Sequence, residues 1–140
     1  MAMSELRPFV GRWELAVDIP GAEDTRGQVV FEWLGALLVV RSEVPDSDVP
    51  DSICVIAPDD DSGYLQHYFD SRGVVRLYEM TLEDGVWTLL RTKPDFSPLA
   101  FHQRYVGRFN DDATMIDGEW QSSQDGRDWQ RDFGLVYRRI

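Results

Sequence analysis

The chain has 140 residues, the common size of one domain, and can bury a real core without staples. Lys and Arg total 14 against 25 Asp and Glu, a net charge of -11, which argues against a nucleic-acid binder and against an anionic membrane surface as partner. Hydrophobic residues make up 43% of the chain, enough to fold, and one cysteine excludes an intramolecular disulfide.

The N-terminus, Met1-Ala2-Met3-Ser4-Glu5-Leu6-Arg7-Pro8, is followed by no apolar signal-peptide core. The longest apolar run, 34–40, is far short of the roughly 20 residues a spanning helix needs. With Cys54 alone, a cytoplasmic location is the expectation. Cys54 lies in the apolar run Ile53-Cys54-Val55-Ile56 and reads as a buried, inert thiol.

Residues 4–10 predict one short helical turn, with Ser4 as N-cap, Pro8 limiting its regularity and Gly11 ending it. Beyond it the pattern has period two. In Trp13-Glu14-Leu15-Ala16-Val17-Asp18-Ile19 the apolar residues share one face, and Pro20-Gly21 stops the strand. Further strands are expected near 28–34, 37–44, 52–57, 64–70, 74–82, 86–91, 101–109, 114–123 and 129–138, about ten in all. Polar runs such as Asp59-Asp60-Asp61-Ser62-Gly63, Glu83-Asp84-Gly85 and Gln124-Asp125-Gly126 separate them and suit tight turns. Only 44–51 and 92–100 read as long loops, both with prolines.

Short links join neighbouring strands antiparallel. Ten such strands must hide their edges, and a meander closed on itself does so. A two-sheet sandwich competes, but its Greek keys need long crossovers. The expected fold is therefore all-β: an antiparallel up-and-down barrel of about ten strands over residues 1–140, a single domain with a short N-terminal helical turn.

Two motifs carry a resemblance: Gly11-Arg12-Trp13 opening the first strand and the basic pair Arg138-Arg139 closing the last. With the strand pattern over nearly the whole chain, they resemble the calycins, the superfamily of lipocalins, fatty-acid-binding proteins and their bacterial relatives. The resemblance implies that Trp13 covers one barrel end and that a late Arg, assigned here to Arg138, packs across its ring. The segment Gln66-His67-Tyr68-Phe69-Asp70-Ser71-Arg72-Gly73 is similar to a bacterial family of uncharacterised lipocalin-like barrels with no general activity. Nitrobindin-like proteins, haem-binding ten-stranded barrels, are distant relatives. They carry their haem-ligating His late in the chain, whereas the last His here is His102, and their Gly-rich run after the Trp is replaced by Glu14-Leu15-Ala16-Val17. Haem is thereby disfavoured, and no cofactor is expected.

A ten-stranded barrel can enclose a cavity. Alternation points Trp13, Leu15, Val17, Phe31, Trp33 and Phe101 inward, with Tyr105, Phe109, Ile116, Trp120, Phe133, Leu135 and Tyr137, an aromatic lumen suited to a flat or greasy ligand. Gln103 shares a face with Tyr105, and Arg131 shares one with Phe133, so either could orient a carboxylate or carbonyl. Solvation of Arg131 at the strand end is the competing reading. Tyr78 alternates with Arg76 and Met80. His67 shares a face with Leu65 and Phe69; the opposite phase would turn Gln66, Tyr68 and Asp70 inward, and both faces mix apolar with polar residues. The candidate ligand-binding residues are His67, Tyr78, Gln103, Tyr105, Trp120, Arg131, Phe31 and Trp33.

No zinc spacing joins the two histidines, 59–63 lacks the offsets of a calcium loop, and no nucleophile elbow, phosphate loop or dinucleotide fingerprint occurs. No metal site or catalytic residue is assigned. The preferred function is binding of a small hydrophobic or aromatic molecule in the lumen. The alternatives are a filled barrel with a structural or interaction role, a lumen enzyme of isomerase or cyclase type using His67, Glu79 or Tyr78, and, last, a haem protein. Monomer and homodimer are both open.

Overall fold

A computed structural model of the chain describes residues 2–45, 47–60, 63–95 and 99–140. A 3-10 helix, Met3–Phe9, leads into ten strands: β1 (Gly11–Ile19), β2 (Ala22–Leu34), β3 (Leu37–Glu43), β4 (Ser52–Pro58), β5 (Tyr64–Asp70), β6 (Val75–Glu83), β7 (Val86–Arg91), β8 (His102–Phe109), β9 (Met115–Ser123) and β10 (Gln130–Arg139). Each strand pairs antiparallel with its neighbour in sequence, and β1 pairs with β10 to close the barrel. Among the described residues, no helix is long and apolar enough to cross a membrane.

The tight turns follow from residues that accept positive φ. Asp84 and Gly85, at φ 52° and 75°, form the two-residue link between β6 and β7. The expected turn at 59–63 is closed by the Asp59 amide donating to the Gly63 carbonyl, 3.1 Å, while Asp61 and Ser62 lie outside the described residues. Asp46 and residues 96–98, inside the two expected long loops, also lie outside them.

Two details depart from expectation. The helix has no side-chain cap: Ala2, not Ser4, stands at its N-cap. β2 begins at Ala22, well before the apolar run, because its polar first half is held by pairing to β1 and by exposed ion pairs of Arg26 with Glu14 and Asp24. Arg41 likewise pairs with Glu32 on the outer surface.

The interior is not uniform around the barrel. On β1, and on β2 and β10 away from their ends, the inward residues are apolar, as alternation suggests. On β5 and β6 the phase is inverted: Gln66, Tyr68, Arg76 and Tyr78 face the interior, while Ile53 and Phe69, register partners on β4 and β5, stand 45% and 43% exposed outside.

Candidate functional site: the barrel lumen

One barrel end is sealed. Phe9 and Leu6 of the 3-10 helix are fully buried there, and the Phe9 ring stacks on Phe31 at 5.2 Å between centroids and meets Trp87 and Phe109 edge-on. The Trp13 indole N–H donates to the Phe9 carbonyl at 2.8 Å. Arg139, not Arg138, lies across the Trp13 ring, its Cζ 4.1 Å from the centroid. The correction follows from alternation: Tyr137 and Arg139 share the inner face, which sends Arg138 outward. The Arg139 guanidinium also donates to the carbonyls of Pro8 (2.6 Å), Val10 (2.9 Å) and Ala113 (3.2 Å), fastening the plug to the rim. The Tyr64 hydroxyl donates to the Ala2 carbonyl at 3.0 Å; burial and the neighbouring Glu5 push its pKa up to about 12.

Above this floor lies a cavity of about 870 Å³. Its mouth is the opposite barrel end, where Gly21, Val49, Arg72, Phe101 and Asp132 reach the lining from the connecting segments and strand ends. The apolar wall comes from Leu15, Val17, Val29, Val40 and Leu135; aromatic rings come from Trp87, Trp120, Phe133 and Tyr137. Tyr105 donates to the Leu135 carbonyl across the barrel wall at 3.1 Å. Its ring lies over the Gly107–Gly118 cross-strand pair, and a Cβ added at Gly118 would come within 2.3 Å of its hydroxyl. Those two glycines make the slot that lets a Tyr lie flat against the wall.

The cavity thus brings together Tyr78, Gln103, Tyr105 and Trp120, and the Tyr78 hydroxyl donates to Gln103 Oε1 at 3.2 Å. The other four candidates stand elsewhere. Phe31 points inward but belongs to the floor, not the cavity lining. Trp33 is 38% exposed, because at the barrel rim the inward phase no longer means burial. His67 takes the outer phase of β5, between Val55 and Leu77. Arg131 is turned out by a β-bulge: the register slips between Arg131 and Phe133, so Asp132 reaches the lining and Arg131 pairs outside with Asp18 (3.2 Å) and Glu119 (3.6 Å).

Sequence reasoning left out of the site Gln66, Tyr68, Arg76 and Cys54, all in the lining. The first two appeared only as the alternative phase of β5, and nothing in a pattern with apolar residues on both faces could choose between the phases. Gln66 is 5% exposed, and among the described residues its Oε1 has no hydrogen-bond partner; the Trp87 indole N–H is in the same state. Arg76 sits against the Tyr78 hydroxyl and has no carboxylate partner among the described residues.

Electrostatically the lumen holds its thiol and phenols neutral. Burial pushes the Cys54 thiol up to about 12 and raises the phenols of Tyr68, Tyr78, Tyr105 and Tyr137. The phenols therefore act as hydrogen-bond donors and stacking surfaces, and the thiol is a poor nucleophile. Of the groups a lumen enzyme would use, His67 and Glu79 lie outside; Glu79 is on the surface with Lys93 at 3.1 Å.

Fold and site define a class: a closed ten-stranded antiparallel barrel, plugged at one end and hollow toward the other. The crystal structure of Rv2717c from M. tuberculosis is similar, with a TM-score of 0.62 over 99% of this chain and 96% of that one, at 14% sequence identity. At that identity the likeness shows the fold alone. No family model matches the chain, and neither does any curated protein.

Proposed function

We propose that this chain is a calycin-like binding barrel that holds a small hydrophobic or aromatic molecule in its lumen. The observation that carries the reading is the cavity of about 870 Å³, walled by aromatic and aliphatic side chains and sealed at its floor. That volume lies in the range of known small-molecule sites, and a barrel built only as scaffold would fill it. Kinship with the calycins is supported by Gly11-Arg12-Trp13 and by the arginine that covers the Trp13 ring.

Haem is disfavoured as occupant, since neither histidine is in the lining: His67 faces out and His102 packs against Gly126 in the β9–β10 turn. A small molecule is the partner of this reading; the net charge of -11 speaks against nucleic acid and anionic membranes. The single cysteine, buried and inert, is consistent with a cytoplasmic setting.

The test is native mass spectrometry of the protein purified from its own host. A stoichiometric adduct of a few hundred daltons that is lost on denaturation is the expected result, and its mass names the ligand class. Apoprotein alone, together with failure of aromatic probes to bind, overturns the reading.

A further inference from the structure

The lumen is two-sided. Strands β5, β6 and β8 present Gln66, Tyr68, Arg76, Tyr78 and Gln103, while β1, β2, β3 and β10, across the barrel, present Leu15, Val29, Val40 and Leu135. Within the polar wall two levels can be separated. Gln66 and Tyr78 are register partners, and so are Tyr68 and Arg76. The second pair lies two residues nearer the mouth, a rise of about 7 Å along the strands.

The deeper level holds Gln66 Oε1, an acceptor with no partner among the described residues, and the Trp87 indole N–H in the lining is a donor in the same state. Gln66 lines the lumen with its Oε1 turned away from the open space, and a buried polar atom without a partner is costly, so an occupant with a hydroxyl at that depth gains when the amide rotates to meet it. The upper level holds Arg76 by its backbone; its guanidinium lies against the Tyr78 hydroxyl and has no carboxylate partner among the described residues. Arg72 at the mouth differs: Asp70, its side chain fully buried, already neutralises it at 2.6 Å. An anionic group on the occupant would therefore meet Arg76 first. Beside the deeper level the rings of Tyr78, Trp120 and Tyr105 follow one another with centroids 5.4 Å apart, a surface for a flat ring.

Resting on the lumen reading above, we infer that the occupant is a planar aromatic acid carrying a hydroxyl remote from its carboxylate: the hydroxyl goes down to Gln66, the carboxylate up to Arg76, and the bare edge against the aliphatic wall. A flexible alkyl acid has one polar end and leaves Gln66 Oε1 unpaired, so it fits less well.

Isothermal titration with four probes tests this: 6-hydroxy-2-naphthoate, 2-naphthoate, 2-naphthol and decanoate. The hydroxy acid is expected to bind tightest, with roughly tenfold loss on removing either polar group. Arg76→Met should erase only the gain from the carboxylate, and Gln66→Leu only the gain from the hydroxyl; retained 2-naphthol binding shows that Arg76→Met is folded, and retained 2-naphthoate binding shows the same for Gln66→Leu. Equal affinity for 2-naphthoate and its hydroxy analogue, an unchanged preference in the two variants, or tighter decanoate binding overturns the proposal and leaves the lumen reading standing. Failure of all four probes overturns both.

Discussion

Arg139 lies flat over Trp13, its Cζ 4.1 Å from the ring centroid, and the same guanidinium donates to three backbone carbonyls. One side chain from the end of β10 therefore clamps the start of β1, the 3-10 helix and the β8–β9 turn. Trp13 is fully buried and its indole N–H holds the Phe9 carbonyl. Trp13→Ala is expected to cost about 3–5 kcal/mol in urea unfolding, with loss of the helix plug. Arg139→Met should also destabilise, whereas Arg138→Met, on the outer face, should change stability by less than about 0.5 kcal/mol. Equal effects of the two arginine variants would contradict the assignment.

Gly118 exists for Tyr105. A Cβ there would stand 2.3 Å from the hydroxyl and 2.6 Å from Cζ, with the Val106 carbonyl at 2.7 Å. Gly118→Ala is expected to destabilise by about 1–3 kcal/mol as the ring is forced off the wall. Tyr105→Leu in the same chain should recover part of that loss, because it removes the colliding atoms. A double-mutant cycle by chemical denaturation checks the coupling, and additivity would show that the two sites are independent.

The ten-strand meander was legible because polar turn residues punctuate nearly every apolar segment, and the bounds of β5 and β7 coincide with those read from the sequence. In/out phase was harder. On β1 and β10 one face is clearly apolar, and Leu15, Val17, Leu135 and Tyr137 point in as expected. On β5 the tertiary structure turns the polar face inward, which alternation alone cannot reveal because Phe69 and Leu65 look as much like core as Tyr68 does. Arg131 was misplaced by one inserted residue at a bulge, and a bulge leaves no signature in the pattern of β10. Choosing Arg139 over Arg138 needed only that phase be carried to the strand end.

Arg91 and Asp95 form a buried bidentate pair at 2.8 and 3.0 Å, and Asp95 also accepts the Leu77 amide at 2.9 Å. Their side chains are 3% and 4% exposed, so this pair ties the β7–β8 loop to β6, out of reach of water. Removing one partner takes the counter-charge from the other at a site out of reach of water. Asp95→Ala is expected to cost about 3–5 kcal/mol, and Arg91→Met with Asp95→Leu together distinctly less. Thermal unfolding of the three proteins decides it; a double variant worse than Asp95→Ala would refute the argument.

Acid should weaken the fold through Asp70. Burial alone would raise its pKa, but hydrogen bonds from Arg72 and from the Tyr68 hydroxyl outweigh it and hold the carboxyl at about 2. In the unfolded chain an Asp titrates near ~3.9. A depressed folded pKa stabilises above the unfolded value, and the contribution is lost as pH falls through the folded one. Tm is therefore expected to drop between about pH 4 and pH 2, and Asp70→Asn should flatten that slope. Asp125, held at about 2 by the amides of Asp128 and Arg127, adds a second part that Asp70→Asn leaves in place.

The lumen itself is tested most directly by filling it. Cys54 is buried in the lining, between Val40 on β3 and Tyr68 on β5. Cys54→Phe puts a ring where the ligand would lie without touching the mouth or the plug. Titration of N-phenyl-1-naphthylamine, followed by its fluorescence, should saturate at one site per chain in the wild type. In Cys54→Phe, with Tm retained, binding should fall at least about tenfold. Equal binding by both proteins would mean that the probe sits on the outer surface and that the hollow barrel is not the binding site.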